Sequence, residues 1–230
     1  MNVIPVLDLQ DGLVVRARSG QRHLYRPIET PLAVGSDPVD IAGGLLRIFP
    51  FSSLYIADLN AIVGTGDNFE QVLRVKEAFP NVDIWLDNGA NEEAAVESFL
   101  EKRLGYLVLG SESQTSSRLL QRFVQATRIV LSLDFRGDTF QGPAEIIGRS
   151  DLWTRNIIVM TLTRIGGEAG PDLERLAEIV KRAADRRVYA AGGVRDGNDL
   201  AALKSCVLAG ALIASALHNG ALTGADFAAN

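Results

Sequence analysis

The chain has 230 residues, of which 47% are apolar, so it is long enough to bury a sizeable core and we expect one domain over 1–230. The net charge of −5 is scattered, with no basic stripe, so nucleic acid is not an expected partner. A single cysteine, no basic segment before a long apolar run and no apolar stretch of about 18 residues together favour a cytoplasmic protein without a signal peptide or membrane span.

Eight short apolar runs predict β-strands. The runs are continuous rather than alternating, as expected for strands covered on both faces. They lie near 3–8, 53–58, 82–86, 105–109, 128–133, 156–161, 187–191 and 209–213. Helical spacing predicts helices between them, among others at 40–48, 69–79, 92–100, 117–126 and 173–184.

Eight strand–helix pairs predict a (β/α)8 TIM barrel. The alternative is an open doubly wound sheet, which the sequence favours less because no G-x-G-x-x-G follows the first strand. Two polar inserts, 9–36 and 135–150, follow the first and fifth predicted strands. In a barrel both would lie on the C-terminal face, where active sites are found and long loops often act as lids.

The two halves of the chain follow a similar plan. Asp8 and Asp134 each end an apolar strand and lie 126 positions apart. Gly89 precedes Gly193 by 104 positions, and Ser111 precedes Ser215 by the same number. This spacing predicts a half-barrel pseudo-repeat.

Asp8 and Asp134 are the predicted catalytic residues. In the barrel they would lie on opposite sides of the mouth, where one carboxyl could act as acid and the other as base. The structural alternative is that each carboxylate caps its own loop. Two acids at matching places favour catalysis.

A predicted phosphate site consists of Gly192, Gly193, Ala214 and Ser215, with Arg195 beside it. A glycine turn and a helix N-terminus supply backbone N–H donors, and barrels commonly bind phosphate after their last two strands. The alternative is two ordinary turns.

The matching loops of the first half contain Gly89, Gly110 and Ser111. Gly110 and Ser111 suit a phosphate cradle, but the carboxylate of Asp87 would repel a phosphate. We therefore predict a weakened or retuned site, which could hold a neutral or amino group. A turn with no ligand is an open alternative.

Further substrate-binding candidates are Arg16, Arg22, Asp58 and Thr161. Asp58 could orient a substrate hydroxyl, or it could hold the first insert through Arg16 or Arg18. With two histidines and one cysteine, no zinc or other metal site is predicted.

Several motifs resemble the histidine-biosynthesis barrels, the HisA/HisF family, nearest its HisA isomerase branch. They are the runs Ile4 to Arg16, Ala57-Asp58-Leu59, Leu133-Asp134, Ala191 to Arg195 and Ala214 to Leu217. The resemblance covers nearly the whole chain. It implies a duplicated half-barrel, a cofactor-independent aldose–ketose (Amadori) isomerisation with base and acid at Asp8 and Asp134, and a substrate with one phosphate bound by each half.

The chain departs from that family in three loops. A further acid after the sixth strand is replaced by Arg164-Ile165-Gly166-Gly167. The first-half phosphate loop reads Asp87-Asn88-Gly89, and the loop after the fifth strand reads Phe135-Arg136-Gly137-Asp138 without the usual tryptophan. The chain thus resembles a divergent HisA-like branch, of a kind similar to proteins of one-carbon (methanopterin or methanofuran) cofactor biosynthesis.

Three functions follow from the sequence. The first is an isomerase that acts by acid–base chemistry on a phosphorylated sugar or small metabolite. The second is the histidine-pathway ribotide isomerase itself. The third is a non-catalytic protein that binds a phosphorylated metabolite, which the missing acid after the sixth strand would favour. The sequence leaves monomer and homo-oligomer undecided.

Overall fold

The computed structural model describes residues 1–17, 21–167 and 169–228, and in them eight parallel strands form a closed barrel. These strands are β1 Asn2–Gln10, β3 Ser53–Asp58, β4 Asp83–Asp87, β5 Gly105–Gly110, β6 Ile129–Arg136, β8 Asn156–Thr161, β9 Arg187–Ala191 and β10 Gly210–Ile213. Pairing of Asn2 to Pro5 with Gly210 to Ile213 closes the barrel. The predicted (β/α)8 fold is confirmed, and the open sheet is excluded.

Helices connect the strands on the outside of the barrel. Their bounds are α1 Pro38–Ile48, α2 Leu59–Val63, α3 Phe69–Ala78, α4 Glu93–Lys102, α5 Arg118–Phe123, α6 Ala144–Gly148, α7 Leu173–Ala183, α8 Gly197–Lys204, α9 Ser215–His218 and α10 Gly224–Ala228. All five helices predicted from spacing are present within a few residues. Within the described residues, no helix is both long and apolar enough to cross a membrane.

Both polar inserts contain a short strand that the sequence did not predict. In the first insert, β2 Leu13–Val15 pairs antiparallel with β1, and in the second, β7 Thr139–Gln141 pairs antiparallel with β6. Asp8 lies opposite Val15, and Asp134 lies opposite Gln141. Each predicted catalytic aspartate therefore pairs with the residue seven positions after it. The half-barrel repeat predicted from sequence spacing is therefore also present in the backbone pairing of these two hairpins.

The apolar core has two layers. One lies between the barrel and its helices, where residues such as Leu45, Leu54 and Ile129 are fully buried. The other fills the barrel, where the Trp85 ring packs edge-on against Tyr189 with centroids 4.9 Å apart. Since side chains alternate along a strand, Trp85 and Asp87 point to the same interior side of β4. The packed floor thus lies directly below the carboxyl group of Asp87.

Asp58 ends β3 and organises the first hairpin. Its Oδ2 accepts a hydrogen bond from the Asn68 backbone N at 2.7 Å, and its Oδ1 accepts from Asn68 Nδ2 at 2.7 Å and from the Ala61 N at 3.1 Å. Asn68 and Asn60 then accept hydrogen bonds from the turn of the β1–β2 hairpin, at Gly12 N and Asp11 N, each at 2.8 Å.

The structure corrects the route predicted for Asp58. It does hold the first insert, but through Asn68 and not through Arg16, whose Nη2 donates to the Glu29 carbonyl oxygen at 2.8 Å. Arg18 lies outside the described residues.

Replacing Asp58 by alanine should destabilise the protein by roughly 2–4 kcal/mol, because two backbone N–H groups and a buried amide lose their acceptor. The matched control is Asp67→Ala, because Asp67 is exposed and, among the described residues, accepts only from the Phe69 N, at 3.1 Å. Urea unfolding of both variants measures the difference. Equal losses in the two variants would contradict this role of Asp58.

Candidate active site

A cavity of about 670 Å³ opens at the C-terminal ends of the barrel strands. It is bounded by the first insert, by the ends of the strands and by the loops that follow them. The lining residues that could bind or react with a ligand are Asp8, Arg16, Arg22, Tyr55, Asp87, Glu112, Asp134, Arg164, Gly192, Gly193, Arg195, Ala214 and Ser215. Both predicted catalytic acids and the whole predicted second-half phosphate loop therefore share one space.

Asp8 lines this cavity, and its carboxyl group is available to a ligand. Among the described residues, none donates a hydrogen bond to its side chain. Desolvation raises its pKa to about 7, and the positive charge of Arg22 offsets only part of that effect. A carboxyl group of this kind changes protonation near neutral pH, which a general base requires.

Asp134 lies across the barrel from Asp8 and is held firmly. Its Oδ1 accepts from Ser132 Oγ at 2.6 Å, and its Oδ2 accepts from Ser111 Oγ at 3.1 Å and from the Glu112 N at 3.0 Å. Burial nevertheless raises the pKa of Asp134 to about 7, helped by the negative charges of Asp87 and Glu112. Asp134 is thus fixed in place and able to carry a proton at neutral pH.

Asp87 places a second buried carboxyl group on the same wall as Asp134. Its Oδ2 accepts from Tyr55 Oη at 3.0 Å, and its Oδ1 accepts from the Gly89 N at 3.2 Å. Burial raises the pKa of Asp87 to about 6 against these hydrogen bonds. A Cβ atom at Gly110 would lie 3.4 Å from an Oδ2 of both Asp87 and Asp134, so the two carboxyl groups flank the same small space.

An ion pair joins the first insert to the loop after β5. Arg22 Nη2 contacts Glu112 Oε1, and both side chains are partly buried at the cavity wall. Glu112 was not predicted from the sequence, although it directly follows the Gly110-Ser111 pair. The Arg22–Glu112 ion pair lies at one side of the cavity mouth. In it, the guanidinium of Arg22 balances the charge of the Glu112 carboxylate.

The loop after β9 has the glycine geometry predicted for a phosphate site. Gly192 and Gly193 have φ angles of +98° and +91°. A Cβ atom at Gly193 would lie 2.2 Å from the Gly170 oxygen, and one at Gly192 would lie 2.7 Å from the Thr161 oxygen. Only glycine fits at either position, and such a turn beside the start of α9 is typical of an anion-binding loop.

Arg195 lines the cavity but is engaged by the protein. Its Nε and Nη2 donate to the two carboxylate oxygens of Asp199 at 2.7 and 2.9 Å, and its backbone N donates to Asp199 Oδ2 at 2.9 Å. These contacts lower the pKa of Asp199. The pair fixes the guanidinium beside the glycine loop, where Asp199 offsets its positive charge.

Five predicted binding residues do not line the cavity. Asp58 is 2% exposed and engaged in the hairpin network, and Thr161 is buried below the Gly192 turn. In the first half, the Gly89 N donates to Asp87, and Ser111 Oγ bonds to Asp134 and is fully buried. Gly110 lies behind the carboxyl groups of Asp87 and Asp134. Donors of the first-half loops, at Gly89, Ser111 and Glu112, are therefore used to hold these two acids.

The loop after β8 contributes no acid from its described residues 164–167. Arg164 Nη1 donates to the Gly170 and Pro171 oxygens at 2.8 and 3.1 Å, which shapes the loop against Gly193. Ile165 lines the cavity nearby. Glu168 lies outside the described residues.

His218 and His23 differ in their surroundings. His218 is 3% exposed, and burial lowers its pKa to about 4, so it is neutral at physiological pH. His23 is exposed and does not line the cavity. Within the described ranges, no group of three acidic, histidine or cysteine side chains is arranged to hold a metal ion.

The three desolvated carboxyl groups, those of Asp8, Asp87 and Asp134, predict an unusual pH dependence of stability. Because their pKa values are higher in the folded state than in the unfolded chain, the folded state binds protons more tightly, and the free energy of unfolding falls as pH rises from about 4 to about 7. Urea unfolding near pH 5 and pH 8 should show this loss, and Asp134→Asn should reduce it by on the order of 2 kcal/mol.

The matched control for this titration is Asp83→Asn, at the exposed start of β4. It should leave the difference between the two pH values unchanged. A wild-type protein that is equally stable at both pH values, or more stable near pH 8, would contradict the raised pKa values.

Comparison with known proteins agrees with this geometry. The family model described as histidine biosynthesis protein matches residues 2–223. An uncharacterized protein of Methanocaldococcus jannaschii is 30% identical over 229 residues, which cover 96% of this chain and 95% of the relative.

Two further relatives carry the name of an enzyme, 1-(5-phosphoribosyl)-5-((5-phosphoribosylamino)methylideneamino)imidazole-4-carboxamide isomerase. The one from Renibacterium salmoninarum is 28% identical over 244 residues, covering 97% of this chain and 93% of the relative. The one from Bifidobacterium animalis is 26% identical over 241 residues, covering 97% and 95%.

Proposed function

The chain belongs to the histidine biosynthesis protein family, and from this membership and the geometry of its cavity we propose that it is a HisA-like isomerase. Its reaction is an aldose–ketose (Amadori-type) isomerisation of a phosphorylated sugar or small metabolite, carried out by acid–base chemistry without a cofactor. The observation that carries the proposal is the placement of two carboxyl groups with pKa values of about 7, those of Asp8 and Asp134, on opposite sides of one cavity.

Asp8 is the base in this proposal. It removes the proton from the carbon next to the carbonyl or imine carbon, and the electron pair of that C–H bond forms a new carbon–carbon double bond. The π pair of the C=O or C=N bond moves at the same time to its oxygen or nitrogen, which takes up a proton or already carries one, and an enol or enamine results. The absence of donors to Asp8 among the described residues supports this role, because its oxygens are available to the substrate. A pKa near 7 lets Asp8 accept the proton and later return it to the neighbouring carbon.

Asp134 is the acid. Opening of a sugar ring requires that the ring oxygen receive a proton while the C–O bond breaks, and Asp134 can supply it because it is protonated in part at neutral pH. Its three hydrogen bonds, from Ser132, Ser111 and Glu112, fix the direction in which the proton is delivered. Such positioning contributes to catalysis by keeping the reacting groups aligned.

The phosphate of the substrate binds at Gly192, Gly193, Ala214 and Ser215. These residues lie at the ends of β9 and β10 and line the cavity together. Backbone N–H groups at a glycine turn stabilise a phosphate without a metal ion, and the guanidinium of Arg195, which Asp199 holds in place, lies beside the turn. Anchoring at this end would place the rest of the substrate between Asp8 and Asp134.

The histidine-pathway reaction itself is the second candidate, and the names of two relatives favour it. Those names describe a substrate with two phosphoribosyl groups. Against this candidate, the carboxyl groups of Asp87 and Asp134 flank the space beside Gly110, where the half-barrel repeat would place a second phosphate. The names of the relatives give no support to a role in one-carbon cofactor biosynthesis, and we do not propose one.

The proposal predicts that Asp8→Asn abolishes proton exchange. Incubated in D₂O with ribose phosphate, glucose phosphate or glucosamine phosphate, the wild-type protein should introduce deuterium at the carbon next to the carbonyl of at least one of them, detected by NMR. Asp8→Asn should slow this exchange by at least about a hundredfold because the base is removed. Asp40→Asn, an exposed acid on α1, is the control and should exchange normally.

Two outcomes would contradict parts of the proposal. Undiminished exchange by Asp8→Asn would exclude Asp8 as the base. If folded wild-type protein exchanges none of the three sugars and complements no histidine auxotroph lacking the isomerase, a non-catalytic binding protein would be favoured. Growth of that auxotroph that depends on Asp8 would establish the histidine-pathway reaction instead.

A further inference from the structure

The cavity has two ends of opposite electrostatic character. At one end are the glycine turn of Gly192 and Gly193 and the guanidinium of Arg195. At the other end, Asp87, Asp134 and Glu112 line the wall formed by the ends of β4, β5 and β6. A substrate that spans the cavity therefore meets two different chemical environments.

Positive charge at the acidic end is too small to balance the carboxyl groups. Arg22 lines that wall and is paired with Glu112. Asp87 and Asp134 receive only neutral hydrogen-bond donors among the described residues, from Tyr55 and Gly89 in one case and from Ser111, Ser132 and the Glu112 backbone in the other. Within the described residues, Asp87 and Asp134 thus face the cavity without an ion-pair partner of their own, although the nearby charge of Arg22 offsets part of the effect of burial on the pKa of Asp87.

This environment disfavours a phosphate and favours a cation. A phosphate dianion beside two carboxylates is repelled, and the first-half N–H and hydroxyl donors that could offset the repulsion are already used by Asp87 and Asp134. A cation placed there would replace the missing counter-charge, and charge-assisted hydrogen bonds to buried carboxylates are the strongest of their kind.

We infer that the substrate of this site carries one phosphate, bound at the Gly192–Gly193 turn, and a protonated nitrogen at its other end, selected by Asp87. The inference rests on the proposed function and names the substrate class. The nitrogen is an organic ammonium or amidinium and not a metal ion, because the described acidic groups do not converge on one metal position. Asp87 is a specificity-determining residue, while Asp8 and Asp134 carry the reaction.

A series of matched probes can test this inference by calorimetry. The probes are inorganic phosphate, pentyl phosphate, ω-aminopentyl phosphate and pentane bisphosphate, which differ only in what they place at the far end. The wild-type protein should bind ω-aminopentyl phosphate roughly tenfold or more tightly than pentyl phosphate, since the ammonium gains a buried charged partner. Pentane bisphosphate should bind more weakly than ω-aminopentyl phosphate.

The variant Asp87→Asn identifies the residue responsible. Asparagine keeps the shape and can still accept from the Gly89 N, so the fold should be retained, and a thermal melt checks that it is. The preference for the amino probe should fall to a few-fold or less, while binding of inorganic phosphate stays unchanged. Asp83→Asn, at the exposed start of the same strand, is the control and should keep the full preference.

Other results of these binding measurements would contradict the inference, the role of Asp87 or the proposed function. Three results would overturn the inference and leave the isomerase proposal standing. They are equal binding of ω-aminopentyl phosphate and pentyl phosphate, binding of both no tighter than that of inorganic phosphate, and tightest binding of pentane bisphosphate. A preference that survives in Asp87→Asn would overturn the role of Asp87. Failure of the wild-type protein to bind inorganic phosphate would remove the phosphate anchor of the proposed function and, with it, the inference.

Discussion

Burial of carboxyl groups at one end of a closed barrel is the constraint on which this site depends. The barrel interior below the cavity is filled by aromatic and aliphatic side chains such as Trp85 and Tyr189, which exclude water from beneath the acids. Removing water from Asp8, Asp87 and Asp134 disfavours their charged forms and raises their pKa values toward neutrality. The same packing that stabilises the fold thus supplies groups that exchange protons at neutral pH.

The half-barrel repeat explains how the acids reach opposite sides of the cavity. Asp8 and Asp134 occupy equivalent places on β1 and β6, and each is followed by a short antiparallel strand at the same offset. The repeat has diverged at the phosphate loops. The second half keeps a glycine turn at Gly192 and Gly193, whereas the first half places Asp87 at its β-strand end. A symmetric scaffold therefore carries an asymmetric site.

The sequence predicted the barrel, the eight strands and the two central acids because these depend on local apolar runs and on strand order. It also identified the conflict between Asp87 and a phosphate. It missed the β2 and β7 hairpins, since each strand is three residues long and lies in a polar insert. It could not reveal the Arg22–Glu112 pair or the Asp58–Asn68 network, because these contacts join residues 90 and 10 positions apart whose meeting depends on how the loops fold.

The central claim is that Asp8 and Asp134 hold protons near neutral pH because they are desolvated. Carbon-detected NMR titration of the aspartate side-chain carboxyls, with Asp8→Asn and Asp134→Asn to assign the signals, measures this directly. We predict that both signals titrate with apparent pKa values of about 7. Titration of both groups close to the ordinary value of 3.8 would contradict the account, since neither carboxyl could then act as the acid or base described.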